Sequence, residues 1–132
     1  MEEMTPDRPR SVPDPALDRF FTGREESWQL FRLLQDAVTD IGPAQVQVMK
    51  SQVVFRRNKA FAWVWTPGRY LKRKCAPLVL TLSFGYRHPS LRWKQVVEPY
   101  PGRFTHHLEL YSSNDIDDEV RGWLRDAWAA AG

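Results

Sequence analysis

A single cysteine, Cys75, stands in this chain of 132 residues, so an internal disulfide framework and a thiolate metal cluster are both excluded. Long apolar runs are missing too: nothing approaches the roughly 20 residues that a membrane span needs. The opening segment, Met1 to Arg10, is acidic and proline-containing with no apolar stretch behind it, so no secretory signal is read and the cytoplasm is the expected address. The seven glycines are scattered at turns and ends, with neither the dinucleotide nor the nucleoside-triphosphate spacing. Carboxylates are scarce between residues 44 and 113, where Glu98 and Glu109 stand alone, too few for a catalytic pair or a magnesium site. No cofactor and no metal is expected.

Apolar side chains are plentiful. With 42% hydrophobic and 13% aromatic residues the chain can bury a core, and its length suits one domain. Charge is unevenly spread beneath a net +3. Residues 44–113 hold twelve Lys or Arg against two Glu, a local +10, whereas residues 1–19, 20–43 and 114–132 carry −2, −2 and −3. A field of that kind favours an anionic partner. The acidic ends can also fold back and neutralise it, and both readings stand at the level of sequence.

Four prolines, Pro6, Pro9, Pro13 and Pro15, fall in a stretch with few large apolar residues, so residues 1–16 read as a flexible Pro-rich tail and 17–132 as a single α+β domain. Thr22-Gly23-Arg24-Glu25 has the spacing of a capping box opening a helix. From it Leu30, Phe31, Leu34, Ala37, Val38 and Ile41 fall on one arc, and Gly42-Pro43 ends the run. Period-2 alternation then marks strands over 45–48, 53–55, 60–65, 78–84, 92–97 and 104–111, with Pro99-Tyr100-Pro101-Gly102 as a turn. A second helix follows Ser113-Asn114-Asp115, with Ile116, Val120, Trp123, Leu124, Ala127 and Ala131 as its stripe. Every link between strands except Thr66–Pro77 is too short for a parallel crossover, and that one reads as a basic hairpin loop. The expectation is an antiparallel sheet of five or six strands with an N-terminal and a C-terminal helix packed on one face.

His106 and His107 are adjacent on a strand and so point to opposite faces, which prevents joint chelation of one metal. His106 shares parity with Phe104, Leu108 and Leu110 and belongs to the core side; His107 shares parity with Thr105, Glu109 and Tyr111 and is open to contact with a ligand. His88, beside Pro89, reads as a loop residue. Basic residues interleave with aromatics in Arg69-Tyr70-Leu71-Lys72-Arg73-Lys74, in Tyr86-Arg87-His88 and in Arg92-Trp93-Lys94. Guanidinium and ammonium groups bind phosphate, and Tyr and Trp offer faces for stacking. A solubilising hairpin over a tryptophan-rich core would leave the same pattern.

Several segments together carry a resemblance: Lys50-Ser51-Gln52-Val53-Val54-Phe55, Phe61-Ala62, Arg92-Trp93-Lys94, Arg103-Phe104-Thr105-His106-His107, Ile116-Asp117-Asp118-Glu119-Val120 and Trp123-Leu124-Arg125-Asp126-Ala127. From about Leu17 to Ala131 the chain resembles a family of small bacterial domains of unknown function, one also found at the end of longer chains labelled predicted transport proteins. The resemblance implies a compact α+β domain and supplies no catalytic residue.

Three functions follow from these observations. The first is a non-enzymatic binding domain for a phosphate-rich ligand such as nucleic acid, with Arg69, Lys72, Arg73, Lys74, Arg92 and Lys94 as charge donors. Tyr70 and Trp93 would stack, and His107 would contact the ligand. The alternative is a protein-interaction or accessory domain that binds an acidic protein partner or itself. An enzyme using His107 as acid or base comes last, because no nucleophile or metal site accompanies it.

Overall fold

Alternating side chains with short links built a sheet in the sequence, and the computed structural model, which describes residues 14–67 and 75–132, has one of six strands. The elements are α1 (Pro15–Phe20), α2 (Glu25–Ile41), β1 (Gln45–Val48), β2 (Val53–Arg56), β3 (Ala60–Trp65), β4 (Leu78–Phe84), β5 (Gln95–Tyr100), β6 (Arg103–Leu110), a 3-10 turn (Ser113–Asp115) and α3 (Asp118–Ala130). The strand order is β1-β2-β3-β4-β6-β5, and every neighbouring pair is antiparallel.

Both long helices lie on one face, as their stripes require. Leu30, Phe31, Leu34 and Val38 of α2 and Val120, Trp123, Leu124 and Ala127 of α3 share one core with Val53, Phe55, Val64, Leu80, Leu82 and Leu108 of the sheet. The long helices meet where Gly42 ends α2: a Cβ there would collide with the Trp128 ring, so only glycine admits that contact. The Trp128 indole N–H donates to the Pro43 carbonyl at 2.9 Å and fixes the approach.

The far end of α3 is held by the β2–β3 turn. The Arg57 guanidinium lies 3.6 Å from the Trp128 ring centroid, and the Asn58 and Lys59 amides donate to the Ala131 carbonyl at 3.0 and 3.1 Å. These bonds take up an acceptor that the helix end would otherwise leave orphaned.

Four expectations need correction. The helix at Glu25 is not capped by Thr22, because an unforeseen turn of helix, α1, precedes it. Thr22 Oγ1 donates back to the Asp18 carbonyl at 2.8 Å, and Arg24 takes the cap position without a side-chain bond. Pro15 and Ala16, the last residues of the expected tail, belong to α1, whose cap is Asp14; residues 1–13 lie outside the described residues. The fifth strand starts at Gln95 rather than Arg92 and runs through Pro99 and Tyr100, with a register shift before Tyr100. An irregular edge strand tolerates proline, whose missing N–H would break an inner ladder.

The fourth correction is topological. β4 and β5 both run antiparallel to β6, which lies between them, so they point the same way and residues 85–94 cross over β6. The sheet stays antiparallel because the two same-direction strands never pair. The crossing lies on the helix side, where its residues enter the core.

Candidate functional site

The crossover brings together side chains that sequence reasoning kept apart. Trp93, 7% exposed, stacks on Trp123 of α3 at 4.3 Å between centroids and meets His106 edge-on at 5.0 Å. His88 is no idle loop residue. Its Nδ1 accepts from the Trp93 indole N–H at 3.2 Å and from the Ser90 amide at 3.2 Å, and its ring packs edge-on against Trp123. The His88 amide in turn donates to Nε2 of His106 at 2.9 Å.

His106 is completely enclosed, as its parity with Leu108 and Leu110 requires. Burial lowers its pKa; the carbonyls of Phe104 and Leu82 offset part of that, and His88 and Arg87 add to it. Since Nε2 accepts a bond from an amide, a proton there would confront the His88 N–H, and the ring is held neutral.

Arg92 is committed as well. Its Nη1 donates to Asp117 at 3.0 Å and Glu119 at 2.8 Å, its Nη2 to the Asp115 carbonyl at 3.1 Å, and the guanidinium lies 5.5 Å from the Trp123 centroid. The hydrogen bond to Glu119 does most to raise its pKa. It therefore joins the crossover to the cap of α3, where Asp117 accepts from the Val120 amide at 3.0 Å. Trp93 and Arg92 are thus parts of the fold, and Trp93 leaves no free face for a base.

The opposite face of the sheet has no helix on it among the described residues, and the register aligns its side chains in rows. One row runs Gln47, Val54, Trp63, Thr81, His107, Gln95 across all six strands. A second runs Trp65, Val79, Glu109. Trp63, Trp65 and His107 are partly exposed, whereas Val54, Val79, Thr81 and Ser83 between them are buried. Thr81 Oγ1 and His107 Nδ1 lie 2.7 Å apart, and burial lowers the pKa of His107. Arg103 donates to Ser83 Oγ at 2.9 Å, and Arg56, paired with Gln45, shares the face. At the rim Lys94 pairs with Glu109 at 3.1 Å, and the Tyr111 hydroxyl donates to the same carboxylate at 3.0 Å.

Of the residues singled out from sequence, His107 and Lys94 therefore lie on or beside this face and Arg92 and Trp93 on the other side. Arg69, Tyr70, Lys72, Arg73 and Lys74 lie outside the described residues. Sequence reasoning missed Trp63 and Trp65 as surface aromatics, although their shared parity in Ala60–Trp65 was visible. Among the described residues no cluster of three or more His, Cys, Asp or Glu can hold a metal, and no helix is long and apolar enough to cross a membrane.

One antiparallel sheet with helices on one face and a polar, tryptophan-bearing surface on the other defines the class, an α+β domain. Within that class the chain belongs to a family described only as a domain of unknown function, DUF5655, whose match spans residues 17–131. No curated protein and no solved structure matches it.

Proposed function

We propose that this is a non-enzymatic binding domain whose helix-free sheet face takes a phosphate-rich ligand, single-stranded nucleic acid being the form that fits best. The observation that carries the reading is the placement of Trp63 and Trp65, partly exposed, on the sheet face that bears no helix among the described residues. Stacking is sequence-tolerant because every base has a π-face, and it adds about 1–3 kcal/mol per base. Arg56 and Arg103 share that face and Lys94 stands at its rim, paired with Glu109. The sequence joining β3 to β4 adds Arg69, Lys72, Arg73 and Lys74, with Tyr70 as a further aromatic. The reading takes the chain as a bacterial, cytoplasmic domain and gives no role to the transport label of longer chains that end in such a domain.

Fluorescence anisotropy with a labelled oligothymidylate tests it. Binding should weaken steeply as salt rises, with a log-log slope near 0.7 per phosphate contacted on a single strand. Reversing Arg73 and Lys74 to glutamate should weaken all sequences alike and flatten the slope. Absence of binding even at ~50 mM salt, where electrostatic association is strong, overturns the reading and moves an acidic protein partner, or a second copy of the chain, to first place.

A further inference from the structure

The helix-free face carries one histidine, and the groups around it give that ring a defined part in the reading just proposed, on which the following rests. Nδ1 of His107 is engaged by Thr81 Oγ1 at 2.7 Å. The neutral ring either accepts the Thr81 hydroxyl at Nδ1 or donates Nδ1–H to Oγ1, and in both tautomers Nε2 has no partner among the described residues. The row in which the ring lies places it between Thr81 of β4 and Gln95 of β5, with Trp63 one strand beyond Thr81.

Among the described residues no free carboxylate faces it. β4 presents Val79, Thr81 and Ser83 on this side, none of them titratable. β5 presents Gln95 and Val97; its Glu98 accepts from the Gly102 amide, and Lys94, just before the strand, is paired with Glu109. On β6 itself Glu109 is shared between Lys94 and Tyr111, and Arg103 is bound to Ser83. A partly buried imidazole without a counter-charge stays neutral, and burial lowers its pKa in agreement with that geometry. An anionic oxygen arriving at Nε2 supplies the missing charge. In the protonated ring both nitrogens carry hydrogen, Nδ1–H donating to Thr81 Oγ1 and Nε2–H to the anion.

We propose that His107 is a proton-linked phosphate contact: docking of a phosphate group on the helix-free face and uptake of one proton by this ring are coupled. The coupling is reciprocal, so acid strengthens binding and binding favours the protonated ring.

The test measures oligothymidylate affinity of the full chain at constant ionic strength from about pH 8 to about pH 6, the range in which histidine changes charge. Ring NMR of His88, His106 and His107 runs beside it. Affinity should rise about fivefold or more on acidification, and the His107 titration midpoint should move up at saturation while that of His106 stays put. His107→Gln, which cannot take up the proton, should show no rise in affinity on acidification, whatever its affinity at the alkaline end. Inorganic phosphate alone forms a second arm: a midpoint moved by phosphate assigns the contact to small anions as well, and one moved only by the oligonucleotide assigns it to a polyanionic strand. A wild-type affinity that does not change with pH, or a rise that persists in His107→Gln, overturns the role of His107 and leaves the binding reading intact. Failure to bind any oligonucleotide at any of these pH values removes the reading and the coupling together.

Discussion

His106 and His107 are adjacent on β6, yet one strand step gives them opposite chemistry. His106, fully enclosed, packs against Phe84 and Trp93 and accepts the amide of His88. His107, partly exposed, looks out among Thr81 and Gln95, with its Nε2 unclaimed among the described residues. The tryptophans divide in the same way: Trp93 and Trp123 stack inside the core, and Trp63 and Trp65 lie partly exposed on the other side of the sheet. Aromatic residues beside basic ones thus mean structure on one face and available surface on the other, and the helices decide which.

The largest expected effect separates the two sets of rings. Trp123→Ala should cost about 3–5 kcal/mol in denaturant unfolding, because it removes a buried indole together with its stacking on Trp93. Trp63→Ala, opening no enclosed cavity, should cost no more than about 1–2 kcal/mol. Equal losses would erase the distinction between the faces.

Acid sharpens the comparison. The pKa of His106 is lowered in the folded protein, first by burial, so the unfolded chain binds the proton more readily. Stability is then full above the ordinary histidine value of about 6.5 and falls as pH drops from there toward the folded value. The same sign holds for His107. Unfolding midpoints measured across this range should fall on acidification, and His107→Gln should retain most of the fall because the enclosed ring drives it. A midpoint that is flat down to about pH 5 would contradict a neutral, amide-bonded His106.

Two arginine and lysine contacts give smaller effects. Arg92 is partly exposed, so its pairs with Asp117 and Glu119 are screened, and Arg92→Gln should cost about 1 kcal/mol through the α3 cap while leaving oligonucleotide affinity nearly unchanged. Lys94, 64% exposed at the rim, should alter stability by no more than about 0.5 kcal/mol when changed to Gln, yet weaken binding slightly. If Arg92→Gln proved the more damaging to binding, the assignment of Arg92 to the fold would be wrong.

Local periodicity was enough for most of the architecture. The stripes of α2 and α3, the stop at Gly42-Pro43 and the opposite facing of His106 and His107 are all short-range patterns that the structure repeats. What remained hidden depends on partners distant in sequence. Trp93 reads as half of a basic-aromatic motif until Trp123, thirty residues on, provides its stacking surface. Arg92 reads as a free charge until the α3 cap supplies two carboxylates. The crossover of residues 85–94 depends on where β6 inserts, which no local window records. Trp63 and Trp65 were legible as one face of a strand, but which face the helices leave bare follows only from the assembled core.

The most direct test of the helix-free face as the binding surface uses the indole N–H signals of the six tryptophans, each a reporter at a known place in the fold. In a titration of isotope-labelled protein with oligothymidylate, the signals of Trp63 and Trp65 should shift or broaden first and most, while those of Trp93 and Trp123 hold their positions. Shifts centred on Trp93 and Trp123, or binding that leaves Trp63 and Trp65 unmoved, would contradict the account.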